Sequence, residues 1–233
     1  MKIGIIGAME MEVAVLKNEM HISQTVSYAG MEFCEGTIGN ADVVIVRSGV
    51  GKVNAGICVQ ILVDRFSVTH ILNTGVAGSL NNSINIGDIV VSRDAMYHDV
   101  DATVFGYQPG EVPQLGTVAF SADPFLVEKA VSACQEADPD IQVLQGRIVS
   151  GDQFICDHAV KAKLASEFHG DCCEMEGAAI AQASFINKIP FVIIRAISDK
   201  ADESVQISYT AFEEKAAMHC AALVKYMIEN IRN

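Results

Sequence analysis

The chain has 233 residues, half of them hydrophobic, which is enough apolar surface to bury a large core and the length of one domain spanning 1–233. Its net charge of −13, with 16 scattered Lys and Arg, argues against a nucleic-acid or anionic-membrane surface, because phosphate backbones are held by clustered cations. The short apolar run at the N-terminus is broken by Glu10 and Glu12, so neither a secretory signal nor a spanning helix is expected, and a soluble intracellular protein is. Cys34, Cys58, Cys134, Cys156, Cys172, Cys173 and Cys220 include no C-x-x-C pair, and most have apolar neighbours, as reduced core thiols do.

Short runs rich in Ile and Val recur at 2–6, 42–46, 69–72, 88–91, 143–149 and 191–194 and read as strands in the middle of a covered sheet. Residues 31–39 read as an antiparallel insertion, which makes the sheet mixed. Residues 51–66 are apolar nearly all round, as in a buried helix. Near the C-terminus Phe212, Ala216, Cys220, Leu223, Met227 and Ile231 form one helical stripe opposite Glu213, Glu214, Lys225 and Glu229. Strands alternating with helices give an α/β fold, a three-layer α/β/α sandwich with a mixed central β-sheet.

Glycines follow several strands: Gly7, Gly49 and Gly51, Gly75 and Gly78, and Gly151. They are expected in loops that either wall a ligand crevice or make tight turns. Two phosphate-binding motifs fail on inspection. After Gly49 and Gly51 a dinucleotide fingerprint would need Gly where Asn54 stands, and a P-loop would need Ser or Thr where Val53 follows Lys52.

Three acidic segments end apolar runs: Gly7-Ala8-Met9-Glu10-Met11-Glu12, Cys173-Glu174-Met175-Glu176-Gly177 and Arg195-Ala196-Ile197-Ser198-Asp199. Strands lying side by side would bring the carboxylates to one cleft, where one can hold a proton while another stays ionised. Glu10 and Glu12 point to nearly opposite sides of a helix, so only one can face the cleft; favourable charge in a first helical turn is the other reading. Glu174 and Glu176 share a face if their segment is extended, whereas Glu176 could instead start the helix over 178–185. A carboxylate there could accept both hydroxyls of a ribose. Asp199 ends the most apolar strand, where apolar walls would favour a carboxylic acid able to donate a proton; N-capping the next helix is its alternative role. Ser198 could orient Asp199, and Arg195 could pair with a carboxylate or hold a water. Tyr97-His98-Asp99-Val100-Asp101 contains metal-ligand types but lacks a second cluster at ligand spacing, so no metal is expected.

Together these segments, at 4–13, 48–55, 73–78, 97–107, 149–155, 174–179 and 195–202, resemble the 5′-methylthioadenosine/S-adenosylhomocysteine nucleosidases of the nucleoside phosphorylase superfamily. The resemblance implies a cytoplasmic homodimer that cleaves the bond between adenine and a 5′-thio-substituted ribose in methionine salvage, acting on a small-molecule adenine nucleoside with no cofactor and no metal. By position it implies that Asp199 protonates adenine N7 with help from Ser198, that Glu12 takes a proton from the attacking water, and that Arg195 helps hold that water. Glu176, with Glu174 and Met175 beside it, would bind the ribose. Phe154 would stack on adenine and the Ile155 backbone would read its edge. Val76, Ala77, Gly78 and Ala201 would complete the walls. The 5′ group would lie among Met9, Val50, Met175 and Tyr209, with Phe105 and Pro113 reaching in from the partner subunit. Three positions depart from the family's usual pattern: Val76 where Ser is common, Tyr209 for Phe, and Ala102 for a larger aliphatic residue. Rival readings are a phosphorylase of the same superfamily, an aminodeoxyfutalosine hydrolase and a nucleoside-binding protein.

Overall fold

A computed structural model describes residues 1–200 and 209–231. In chain order the elements are β1 (Lys2–Gly7), α1 (Glu10–Glu19), β2 (His21–Tyr28), β3 (Met31–Ile38), β4 (Ala41–Arg47), α2 (Lys52–Phe66), β5 (His70–Ser79), β6 (Ile89–Tyr97), β7 (Phe120–Ser121), α3 (Pro124–Ala137), β8 (Val143–Ser150), α4 (His158–Phe168), β9 (Cys172–Glu174), α5 (Gly177–Asn187), β10 (Phe191–Asp199) and α6 (Tyr209–Asn230). The described strands form one mixed sheet in the order β10-β6-β8-β9-β5-β1-β4-β3-β2, with the short β7 paired to β6 off this path. Because β10 also pairs with β5, five of these strands close on themselves at one end.

Most of the runs that read as covered strands are covered, but the first half of β8 is not: Val143 and Leu144 are half-buried and Gln145 is exposed. Ile3, Ile5, Val43, Ile45, Ile71, Leu72, Val192 and Ile193 are fully buried, and β1 lies parallel to both β4 and β5. Helices α1, α3 and α6 pack together on one side, and α2 packs on α5 on the other. The stripe on α6 holds at Ala216, Cys220, Leu223 and Met227, and Ile231 is buried just beyond the helix. The Phe212 side chain lies outside the described set.

The insertion over 31–39 is antiparallel on both edges, to β2 and to β4. It leaves β2 through the two-residue turn Ala29-Gly30, whose φ angles of 49° and 76° match the twist of a right-handed hairpin. All seven cysteines are free, and all but Cys156 are buried. No helix among the described residues is long and apolar enough to cross a membrane.

One expectation is corrected. The segment Gly75-Val76-Ala77-Gly78 is not a loop after a strand but the second half of β5, paired with β10 across a register shift between Ile197 and Asp199, so that Gly75 faces Arg195 and Gly78 faces Asp199. The glycines are there because side chains from neighbouring elements fill the space. A Cβ on Gly75 would fall 2.9 Å from Arg195 Nη1 and from Glu12 Cδ, and one on Gly78 would fall 3.0 Å from Asp199 Oδ1.

Candidate active site

The carboxyl ends of β1, β5, β9 and β10 open onto a cavity of about 250 Å³. It is walled by Met9, Glu12, Val50, Val76, Ala77, Gly78, Phe154, Ile155, Glu174, Met175, Glu176, Ser198 and Asp199, with Ala8, Gln153 and Cys173. Five other sequence-derived candidates lie elsewhere or undescribed. Arg195 stands behind the wall. Phe105 and Pro113 are exposed and do not line the cavity. Ala201 lies outside the described residues, as does the side chain of Tyr209.

Glu12 sits in the first turn of α1 and is 3 % exposed, while Glu10 turns outward to Lys17 at 2.9 Å. Glu12 Oε2 accepts hydrogen bonds from the backbone N–H of Ala8 at 2.7 Å and Met9 at 2.9 Å. Oε1 accepts from Val76 N–H at 3.1 Å. The carboxylate therefore caps its own helix and also ties α1 to β5. Burial raises the proton affinity of Glu12 above the ordinary carboxylate range, against the opposing pull of Arg195 and the three N–H donors.

The two acidic residues after β9 have separate jobs. The chain leaves the extended conformation after Glu174, so Glu176 becomes the N-terminal cap position of α5 and not a second residue on one strand face. Glu174 points inward and accepts from Arg195 Nη2 at 2.6 Å, from the backbone N–H of Glu176 and Gly177, and from Ser150 Oγ. Burial would push its carboxyl up, but Arg195 and these hydrogen bonds outweigh burial and hold it below the ordinary range. Glu176 faces the cavity and accepts from Gly51 N–H at 2.7 Å. Gly51 can present that N–H because it adopts φ 98°, open to glycine alone at little cost. Burial, then the Glu174 charge, push Glu176 up to about 8.

The sequence left Arg195 a choice between a carboxylate and a water, and in this structure the guanidinium is on the carboxylate. At 2 % exposure it binds Glu174 and also Asn73 Oδ1 at 2.6 Å, while Asn73 Nδ2 holds Ile6 O at 2.8 Å. Burial works against its charge, but Glu174 and Glu12 more than offset that and keep Arg195 firmly protonated.

Asp199 is 3 % exposed, and Ser198 Oγ lies 3.3 Å from its Oδ1. Its surroundings are not purely apolar as expected: Lys161 of α4, itself 2 % exposed, forms an ion pair with Asp199 Oδ2 and donates to Lys200 O at 2.9 Å. Sequence reasoning missed Lys161. The available signal was its spacing, since Lys161, Leu164 and Phe168 form one buried helical stripe in which a lysine needs a partner. Asn73 and Ser150, which brace Arg195 and Glu174, were missed as well.

The segment Tyr97–Asp101 is occupied by protein contacts. Asp99 Oδ2 accepts from Lys52 Nζ at 2.6 Å and from Asp152 N–H at 2.9 Å. Among the described residues no group of His, Cys, Asp and Glu is arranged to hold a metal ion.

A mixed sheet whose strand ends deliver several buried carboxylates to one small cavity belongs to a known class, and residues 2–229 match the phosphorylase superfamily model. A 5′-methylthioadenosine/S-adenosylhomocysteine nucleosidase of Shewanella frigidimarina is 43 % identical over 233 residues, covering 99 % of this chain and all of that protein. Of solved structures, such a nucleosidase from Colwellia psychrerythraea in complex with adenine superposes with a TM-score of 0.93 at 42 % identity, covering 98 % of this chain and 94 % of that one. A futalosine hydrolase of Helicobacter pylori superposes with a TM-score of 0.91 at 33 % identity, covering 98 % and 97 %. The chain belongs to the 5′-methylthioadenosine/S-adenosylhomocysteine nucleosidase family of the phosphorylase superfamily.

Proposed function

We propose that the protein hydrolyses the N-glycosidic bond of 5′-methylthioadenosine and S-adenosylhomocysteine, and also of 5′-deoxyadenosine, releasing adenine and the corresponding ribose. The observation that carries this reading is the convergence of Glu12, Glu176 and Asp199, all buried, on one cavity. Asp199, protonated, gives its proton to adenine N7, so the base leaves neutral and the ribose gains oxocarbenium character. Glu12 takes a proton from the water that attacks C1′; a carboxylate of raised proton affinity is the better base near neutrality. Glu176, once ionised, accepts the two ribose hydroxyls. Phe154 stacks on the adenine ring, and Val50, Met9 and Met175 give the 5′-thio group an apolar wall.

Water is the acceptor in this reading, not phosphate. No Lys or Arg among the described residues lines the cavity, and Arg195 is already paired with Glu174. A phosphate dianion would meet the carboxylates of Glu12 and Glu176 without cationic donors. Retention of both an acid and a base also favours an enzyme over a nucleoside-binding protein. We place the enzyme in the cytoplasm, in methionine salvage, where six buried free thiols suit a reducing compartment. In a homodimer, Phe105, 80 % exposed in the protomer, and Pro113 would close the 5′ end of the partner's cavity.

The test is incubation with 5′-methylthioadenosine, with and without phosphate, with both products identified by mass. Equal rates and free 5-methylthioribose are expected, and Glu12→Gln and Asp199→Asn should each slow cleavage at least about a hundredfold. A phosphate requirement with a sugar 1-phosphate product would make the protein a phosphorylase. The futalosine hydrolase likeness makes aminodeoxyfutalosine the second substrate to try.

A further inference from the structure

Lys161 is a buried lysine on α4, 38 residues before Asp199 in the chain, and its ammonium contacts this proposed leaving-group acid. A charge so deeply buried is costly unless its donors are used. Two are used here, on Asp199 Oδ2 and on the carbonyl oxygen of Lys200. Asp199 Oδ1 faces Ser198 Oγ at 3.3 Å, and the same hydroxyl lies 3.3 Å from Ala77 O. A serine has one proton, so it can serve only one of these acceptors at a time.

The donor inventory then fixes where Asp199 can carry a proton. An ammonium offers donors and no acceptor, so a proton on Oδ2 would compete for the lone pairs that Lys161 uses and weaken that contact. Oδ1 has no such conflict. When Oδ1 is ionised, Ser198 donates to it; when Oδ1 is protonated, the hydroxyl turns its proton to Ala77 O and presents a lone pair. We propose that Lys161 is the positioning residue of the leaving-group acid: it anchors Asp199 by Oδ2 and thereby confines the transferable proton to Oδ1. This rests on the nucleosidase reading, in which Asp199 protonates adenine. The proton leaves Oδ1 for N7, the C1′–N9 electron pair goes to the base, and Lys161 remains an ammonium throughout.

The test compares two substrates that share the 5-methylthioribosyl group. One carries adenine, which must be protonated to leave; the other carries p-nitrophenolate, which leaves as a stable anion. Lys161→Met is expected to lower kcat on the adenine nucleoside roughly tenfold to a hundredfold with KM little changed, in line with the cost of misplacing a catalytic group. On the p-nitrophenyl substrate it should stay within about threefold of the wild type. Lys161→Arg, which keeps a charged, donor-only head, should recover most of the loss. Should Lys161→Met fail to fold in a thermal melt, Lys161→Gln takes its place, with the same pattern expected. Equal losses on both substrates, or wild-type rates on both, would overturn the positioning role while leaving the nucleosidase reading intact. A wild-type protein that cleaves neither substrate would overturn the nucleosidase reading and this one with it.

Discussion

Glu174 and Arg195 form an ion pair of 2.6 Å in which neither side chain is more than 4 % exposed. The pair ties β9 to β10 directly beneath the cavity floor. Breaking a buried pair leaves an uncompensated charge, so Glu174→Gln should cost about 3–5 kcal/mol at pH 7. The sign with pH follows from the lowered proton affinity of Glu174. Its contribution is present above the ordinary carboxylate range and is lost as the pH falls through its folded-state value. Urea unfolding at pH 7 and at pH 4 should show a gap between wild type and variant that narrows on acidification; a constant gap would count against the pair.

Glu176 has the opposite sign. Its folded-state value of about 8 lies above the 4.5 of an ordinary glutamate, so the folded chain binds this proton more tightly than the unfolded one. That contribution is full below the unfolded value and disappears as the pH rises through about 8. Glu176→Gln should therefore flatten the fall in Tm between roughly pH 5 and 9. A ribose that requires the carboxylate form should drive proton release when a nucleoside analogue binds below that range. Calorimetry in two buffers of different ionisation enthalpy reads the release directly, and the variant should show none.

Gly75→Ala would push a methyl group against the Glu12 carboxyl group and Arg195 Nη1. We expect a loss of about 1–3 kcal/mol in stability from overpacking. Displacing the proposed base should lower activity by roughly a hundredfold. Steady-state kinetics beside a thermal melt checks both; a fully active variant would mean that Glu12 has room the structure does not show.

Val76 contributes to Glu12 through its backbone N–H, which a change of side chain leaves in place. Val76→Ser should therefore change kcat by less than about tenfold, even though a hydroxyl enters the cavity wall. The removed methyl groups are nearly buried, so a stability loss of about 1–2 kcal/mol is expected. A loss of a hundredfold in kcat would assign the valine side chain a direct part in catalysis.

The sequence revealed the central strands and the carboxylates because both leave local marks. Continuous Ile and Val runs mark covered strands, and an acidic residue at the end of such a run stands out. Strand β2 carries no continuous apolar run: Ile22, Val26 and Tyr28 alternate with polar residues, and seven of its eight residues are exposed, so a reading keyed to covered strands passed over it. Strand β9 is three residues long, below what a period can reveal. The β5 continuation was hidden because Gly75 and Gly78 suit turns in general, and only the side chains of Glu12 and Asp199, distant in sequence, explain them. Lys161 was missed for the same reason: its partner lies 38 residues away.

The ladder between β5 and β10 sets Gly75 opposite Arg195 and Gly78 opposite Asp199. One end of this ladder touches Glu12 through Val76 N–H, and the other holds Asp199 against Gly78. The proposed base and acid thus lie a few rungs apart on one backbone ladder, across the register shift before Asp199. Such a spacer behaves like a ruler cut from main chain: mutations that reshape the rim at Val50 or Phe154 alter what the cavity admits and leave the separation of its two working ends unchanged.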